Sequence, residues 1–348
     1  LNAQAYLGQG TTVNSVRRSI DRYITERHLD SKGRESQART ASQNLQVLES
    51  SFREGDISGI SDRFDAFFDS LTELTLEPSD SGLRDAVVEA GKDLSAAVNQ
   101  GCDAVDDNVR RIEARLSDEI TGINDLLTEI STLNGQISDS DAVTGPGSLL
   151  DKRDQVLGEL AVKIGGTVEY KANGQVNLYV GGHAVVQDVN ARELSITGAS
   201  GSQEVQMSVD SGVITITDLL SGELGGLVDA RTVTQTAGTA LDTFVEDFAD
   251  AFNLQHSSGF ERTGASGGDF FSFGTTDPAG SFAVDTSLAD DSTLIAAAGA
   301  PTATVGDADN LTSLIGIEDS LLFSGGTENG REFIASIYAD LGASVKSY

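Results

Sequence analysis

Cysteine is nearly absent from this chain. Cys102 stands alone among 348 residues, so no intrachain disulfide is possible. Next to Gly101 on an apolar stripe, it is expected to pack as a small apolar residue. Long apolar runs are missing too, and the best candidate, around residues 294–300, is far too short to span a bilayer. There is no signal-peptide pattern and no initiator methionine; Leu1 and Tyr348 read as the cut ends of a longer chain. Basic residues are scarce, 23 against 54 acidic ones, for a formal charge of −31. That field repels phosphate backbones and disfavours nucleic-acid binding. It predicts a solvated, self-repelling surface on which specific association must come from defined apolar faces. The three histidines, His28, His183 and His256, lie on separate elements without a second histidine at ligand spacing. They are expected to be surface or packing residues, and neither metal nor cofactor is expected.

Prolines are also few, and none follows Pro78 until Pro146. Within that stretch apolar residues recur at Leu83, Val87, Ala90, Leu94, Val98, Gly101, Val105, Val109, Ile112, Leu116, Ile120, Ile123, Leu127, Ile130, Leu133 and Ile137. Steps of three or four put them on one helical face, while Arg110, Arg111, Glu113, Asp118 and Glu119 take the others. The spacing predicts a helix over residues 83–137, about 80 Å long at 1.5 Å per residue. Such a rod buries its stripe against other long helices. Val98, Val109 and Ile120 are eleven apart, as are Val105, Leu116 and Leu127, which favours a near-straight bundle over a left-handed supercoil.

Other elements fall around this rod. Gly8-Gln9-Gly10 is a turn signal, and helix is expected over residues 14–52, weakest around Lys32-Gly33-Arg34. Ser61 is the expected cap of a helix carrying Phe64, Phe67, Phe68, Leu71 and Leu74; Pro78 ends it, and Ser79 or Ser81 caps the rod. A loop over residues 138–148 leads to a short helix, residues 149–160, with Leu149, Leu150, Leu157 and Leu160 inward. From Ala161 the period becomes two. Strands are expected at 167–171 and 175–180 around an Asn173-Gly174 type I′ turn, then at 184–187, 193–197, 204–209 and 213–217, with turns at Gly181-Gly182 and Ser211-Gly212. Helix returns over residues 223–255, short helices are plausible at 290–298 and 307–316, and Phe333, Ile337, Leu341 and Val345 mark a last helix. The fold class is therefore α+β, mainly α: an elongated bundle of long near-straight helices plus an inserted small antiparallel β-domain. The expected divisions are residues 1–160 (first part of the helical rod), 161–220 (β-domain) and 221–348 (return helix, loop region and C-terminal helix).

Catalytic patterns are weak. Gly264-Ala265-Ser266-Gly267-Gly268 matches the hydrolase elbow, which needs a following histidine, and none follows His256. Asp139-Ser140-Asp141 and Asp307-Ala308-Asp309 lack the glycine and glutamate of a calcium loop. A carboxylate-based hydrolase would need two acids in a deep pocket, and a sensory module would need a membrane helix. In Asp151-Lys152-Arg153-Asp154 the acids share a helical face, and Arg153 is expected to bridge to a neighbouring element and clamp rod to β-domain.

Several short blocks, in order, resemble one family. Gly8 and Gly10, then Arg18-Ser19-Ile20-Asp21-Arg22-Tyr23, are similar to the N-terminal signature of the first hook-associated proteins of bacterial flagella. Phe67-Phe68 and Pro78…Leu83-Arg84 look like the same family, as does Leu149-Leu150-Asp151-Lys152-Arg153-Asp154-Gln155-Val156-Leu157. Leu224-Gly225-Gly226-Leu227, Phe252-Asn253…His256…Gly259 and Gly268-Asp269-Phe270-Phe271 follow in the family's order. The residues carried over are Gly8, Gly10, Arg18, Asp21, Phe67, Phe68, Leu150, Asp151, Arg153, Asp154, Gly225, Gly226, Asn253, Gly268 and Phe271, all as structural positions. The Leu149–Leu157 block favours this family over flagellin or hook-associated protein 3, the nearest alternatives.

The resemblance implies a non-enzymatic building piece of the hook–filament junction, exported by the flagellar type III apparatus without a cleaved signal peptide and residing outside the cell. It implies the hook protein and the second junction protein (hook-associated protein 3, FlgL) as partners, lateral self-association, and an export chaperone on a C-terminal helix missing here. Terminal helices being absent, this chain is expected to be monomeric in solution.

Overall fold

The structure, a computed structural model, describes residues 21–54, 58–140, 147–217, 220–302 and 306–348. Gly8, Gly10, Arg18 and the helix expected over residues 14–20 lie outside these. The helices are α1 (Arg22–Glu54), α2 (Ser58–Leu76), α3 (Ser81–Ser138), α4 (Gly147–Lys163), α5 (Gly222–Ser258), α6 (Thr286–Asp290), α7 (Asp309–Ile315) and α8 (Gly330–Ser347). The strands are β1 (Thr167–Tyr170), β2 (Val176–Val180), β3 (His183–Gln187), β4 (Asn190–Ala191), β5 (Leu194–Thr197), β6 (Glu204–Val209), β7 (Gly212–Thr215), β8 (Phe271–Ser272) and β9 (Ala283–Val284).

The stripe folds as the 58-residue α3, and every stripe position but Leu83 and Ala90 is buried. Its cap is neither Ser79 nor Ser81. Asp80 adopts an extended backbone, and its carboxylate accepts from Leu83 N at 2.9 Å, an anion where the helix dipole favours one. Ser61 likewise lies inside α2, which begins at Ser58. The weak middle of α1 is unbroken helix. Gly33 there passes so close to α4 that a Cβ would lie 2.9 Å from the Ala161 carbonyl, so the residue that lowers propensity is the one that permits the crossing.

Aromatic residues fill the core beside the first half of α3. Phe64, Phe67 and Phe68 of α2 meet Phe244, Phe248 and Phe252 of α5, with Phe270, Phe271, Phe282 and Phe323 completing the cluster, all fully buried. Centroid separations include 4.7 Å for Phe270–Phe271, 5.2 Å for Phe67–Phe252 and 5.5 Å for Phe67–Phe270, mostly tilted or edge-on. Such pairs add about 0.5–1.5 kcal/mol each beyond area burial.

The inserted strands form two antiparallel sheets, in the orders β1-β2-β3-β4 and β5-β6-β7, with a two-stranded β8-β9 ribbon further on. Their buried residues form one continuous cluster with those of the helices. The β1–β2 connection is not type I′. Asn173 keeps a negative φ, Gly174 alone turns left-handed at 88°, and Gly174 N bonds Lys171 O while Lys171 N bonds Gln175 O. That is a type I turn with a glycine bulge. The paired left-handed turn belongs to Gly181 and Gly182, φ 55° and 83°.

The helix expected over residues 290–298 is displaced. Asp285 and Asp291 each accept from the amide two residues on, starting α6 and then a 3-10 turn at Ser292–Leu294, because a short acid offers the backbone a local alternative to continuous helix. Leu149 and Leu150 are half-buried, not fully inward. α8 opens on a complete capping box, Asn329 with Glu332, the reciprocal arrangement that satisfies two orphan amides.

Candidate functional site: joints between helices and sheets

Three asparagines on the long helices dock the irregular parts of the chain by one device. Asn134 on α3 is fully buried. Its Nδ2 donates to Val176 O at 2.7 Å and Asp188 O at 2.6 Å, and its Oδ1 accepts from Val176 N at 3.0 Å. The carboxamide thus pairs with both backbone groups of one β2 residue, as a neighbouring strand would. Asn124, ten residues earlier, does the same for β5, pairing with Leu194 N at 2.9 Å and Leu194 O at 2.8 Å. On α5, Asn253 pairs with Phe271 N at 2.9 Å and Phe271 O at 2.8 Å, and takes Phe270 N at 2.8 Å as well. Only a carboxamide offers donor and acceptor at that spacing.

Charged side chains make the other joints. Arg153 is buried, as expected of a clamp. Its Nη1 donates to Gly174 O, Nη2 and Nε hold Asp154 Oδ1 at 2.7 and 3.0 Å, and its guanidinium lies 5.4 Å from the Tyr170 ring centre. The bridge to the β1–β2 turn therefore runs through a carbonyl, while the carboxylate partner is the next residue of α4. Asp151 is exposed, and Leu150 approaches the same turn. On the second sheet, Glu113 of α3 accepts from Ser200 Oγ at 2.6 Å and Gly201 N at 2.8 Å, with buried Arg231 3.8 Å away. Burial lowers the Arg231 pKa and Glu113 opposes that. Arg84 ties the start of α3 to Pro78 O at 2.8 Å and Ile295 O at 2.9 Å.

The remaining expected positions are packing and capping residues. Gly226 lets α5 cross α1, since a Cβ would lie 2.4 Å from Gln37 O; at Gly225 it would lie 2.8 Å from Leu220 O. Asp21 accepts from Tyr23 N at 3.0 Å at the head of α1. Gly268 offers its carbonyl to His256 Nδ1 at 2.7 Å, while His256 Nε2 accepts from Ala296 N at 3.0 Å. Burial lowers the His256 pKa, against the Gly268 bond and Asp269, which raise it, and with Arg84, which lowers it further. Both ring nitrogens are committed, so the nearby glycine-serine elbow has no base there.

Asn124, Asn134, Glu113 and Arg84 are joint positions that stripe reading passes over. Each sits directly beside a stripe residue (Ile123, Leu133, Ile112, Leu83), a polar group on the shoulder of an apolar face. Cys102 is half-buried, packed against the core at the edge of a cleft of about 660 Å³ between α3 and α5. Burial and the charges of Asp277, Asp106 and Asp242 push its thiol up to about 12. Asp277 accepts from Gly280 N within its own turn, and Asp242 of α5 accepts from Ala279 N and holds that turn on the helix. Among the described residues no group of three or more His, Cys, Asp or Glu is placed to hold a metal ion, and no helix is long and apolar enough to cross a membrane.

Comparison with known proteins agrees with this architecture. The family described as the flagellar hook-associated protein FlgK helical domain matches residues 45–271. Flagellar hook-associated protein 1 of Salmonella typhimurium is 30% identical over 287 residues, 79% of this chain and 52% of that protein. Its counterpart in Escherichia coli is 30% identical over 286 residues, and that of Bacillus subtilis 25% over 305. The chain spans about half the length of these first two relatives. The structure of the flagellar hook junction protein FlgK from Burkholderia pseudomallei superposes with a TM-score of 0.80 over 92% of this chain and 96% of that one; at 14% identity the likeness is one of fold. A family match over most of the chain, with relatives at 30% identity over 79% of it, means that this chain belongs to the flagellar hook-associated protein FlgK family.

Proposed function

We propose that this chain is a structural piece of the bacterial flagellum at the hook–filament junction, without a catalytic role. It joins hook to filament by packing its long helices side by side with neighbouring copies in a tube. The supporting observation is the set of joints in which asparagines fasten both sheets to α3 and Arg153 fastens the first sheet to α4. A 58-residue helix is poorly stable alone, and docking sheets along it makes a stiff unit that transmits load. The hook protein lies on one side of the ring and hook-associated protein 3 on the other, and an export chaperone acts before assembly through the flagellar type III route. The unit resides outside the cell and, by itself, is monomeric because its acidic surface repels its like. Electron microscopy of flagella from a deletion strain tests the role: bare hooks with flagellin shed to the medium are expected, and normal filaments would end the reading. Light scattering tests the monomer, which a stable, concentration-independent oligomer would contradict.

A further inference from the structure

One of the joint arginines, Arg84, uses only part of its guanidinium. Arg84 is 3% exposed and held along one side only, with Nε on Pro78 O and Nη1 on Ile295 O, Ser292 O and Thr293 O. Its Nη2 makes no hydrogen bond to a described residue. The guanidinium lines a cavity of about 110 Å³ walled by Phe260, Gly264, Ala298 and Pro301. Arg262 lines the same cavity, exposed and without an ion pair among the described residues. Burial lowers the Arg84 pKa and the Arg262 charge lowers it further, so the two cations sense each other. Glu261 and Asp307 also border the cavity. Asp307 accepts from Gly299 N and Asp309 N at 3.0 Å each and Glu261 from Thr263 Oγ1, and neither carboxylate forms an ion pair with Arg84 or Arg262.

Like charges sharing a small cavity are relieved by an oxyanion that accepts from both. The cavity has room for one carboxylate group, and a chain with 54 acidic residues presents carboxylates to any copy packed beside it. Elsewhere arginines meet acids of their own chain, as Arg63 does Asp93, Arg110 Asp107 and Arg331 Asp65. We infer that the Arg84–Arg262 cavity is a carboxylate-binding site whose occupant is an aspartate or glutamate side chain of a second copy of this chain. The site itself follows from the cavity; its occupant rests on the side-by-side packing proposed above.

Acetate is the probe. Wild-type protein and Arg262→Ala, its fold checked by circular dichroism, are titrated with sodium acetate against sodium chloride at equal ionic strength, following the arginine side-chain ¹⁵N signals. A saturable acetate-specific shift of the Arg84 signals is expected, with affinity about tenfold weaker in the variant, the loss of one charge-assisted bond. No such shift in wild type overturns the site. In the second arm Arg262→Glu replaces the chromosomal protein in cells, and fewer hooks carrying filaments are expected. Acetate binding together with an unchanged filament count assigns the site to free carboxylates and overturns the second copy as occupant. Normal filaments in the deletion strain would instead sink the junction reading, whatever acetate does.

Discussion

Replacing Asn134 by alanine tests the docking device where it is most deeply buried. The side chain is 0% exposed and makes three hydrogen bonds, to Val176 N, Val176 O and Asp188 O. Alanine leaves one donor and two acceptors without their partner, in a gap between α3 and β2. Each bond contributes about 0.5–1.5 kcal/mol net, and a stranded buried group costs about 1–3 kcal/mol, so a loss of about 3–5 kcal/mol is expected, water entering the gap setting the lower end. Asn134→Asp keeps the shape but turns an acceptor toward the two carbonyls, and should cost at least as much. Urea unfolding at constant slope gives the magnitude. Hydrogen exchange gives the place: the Val176 amide should lose protection ahead of the amides of α5. Asn124→Ala removes two bonds at a half-buried position and should cost about 1–2 kcal/mol. A loss below about 1 kcal/mol for Asn134→Ala, or Val176 protection unchanged, would refute the claim that the carboxamide stands in for a strand.

Arg153→Ala should cost about 2–3 kcal/mol and speed proteolysis near Gly174, by stranding that carbonyl and breaking the ion pair with Asp154; Arg153→Lys should recover only part, because it loses the planar fork. Melting temperature and cleavage rate check both. Gly226→Ala should lower stability by about 1–3 kcal/mol through overpacking against the α1 backbone, read by urea unfolding. His256 gives a pH dependence. Its native pKa lies below the ordinary histidine value because it is buried, so the unfolded chain binds the proton first. Stability should therefore fall as pH drops through the ordinary value of about 6.5, by at most about 1.4 kcal/mol per unit for one proton. His256→Gln should flatten that slope, and an unchanged slope would remove His256 as its source.

Regular elements were legible in the sequence because burial writes a period into it. The α3 stripe from Val87 to Ile137 and the alternation of β5 and β6 are direct consequences of one face being buried. Caps and turns were less legible, since Asp80, Ser79 and Ser81 are all acceptable caps by type, and backbone geometry chose among them. Asn173-Gly174 has the composition of a type I′ turn, yet the Gly174 carbonyl must face Arg153 and the Ile137 side chain lies where a Gly174 Cβ would project, 2.9 Å away. That tertiary demand selects the bulged turn. The joint residues were legible only in part. Arg153 showed itself within the charged run Asp151-Lys152-Arg153-Asp154, whereas Asn124 and Asn134 look like ordinary solvated positions until the strand opposite them is known.

Burial and hydrogen bonding divide the work along α3. Apolar contact is non-directional: it holds both sheets against the helix but tolerates a slip, because the stripe offers leucine, isoleucine or valine at every turn. A slip of one residue moves a helix side chain by 1.5 Å along the axis and about 100° around it. That displacement breaks both bonds of Asn124 and all three of Asn134 together, and carries Glu113 away from Gly201 N. The polar residues therefore set the register in which the apolar ones are buried. In the junction piece proposed above, register would be the property under load, and its loss would leave a protein still folded but unable to fit its neighbours.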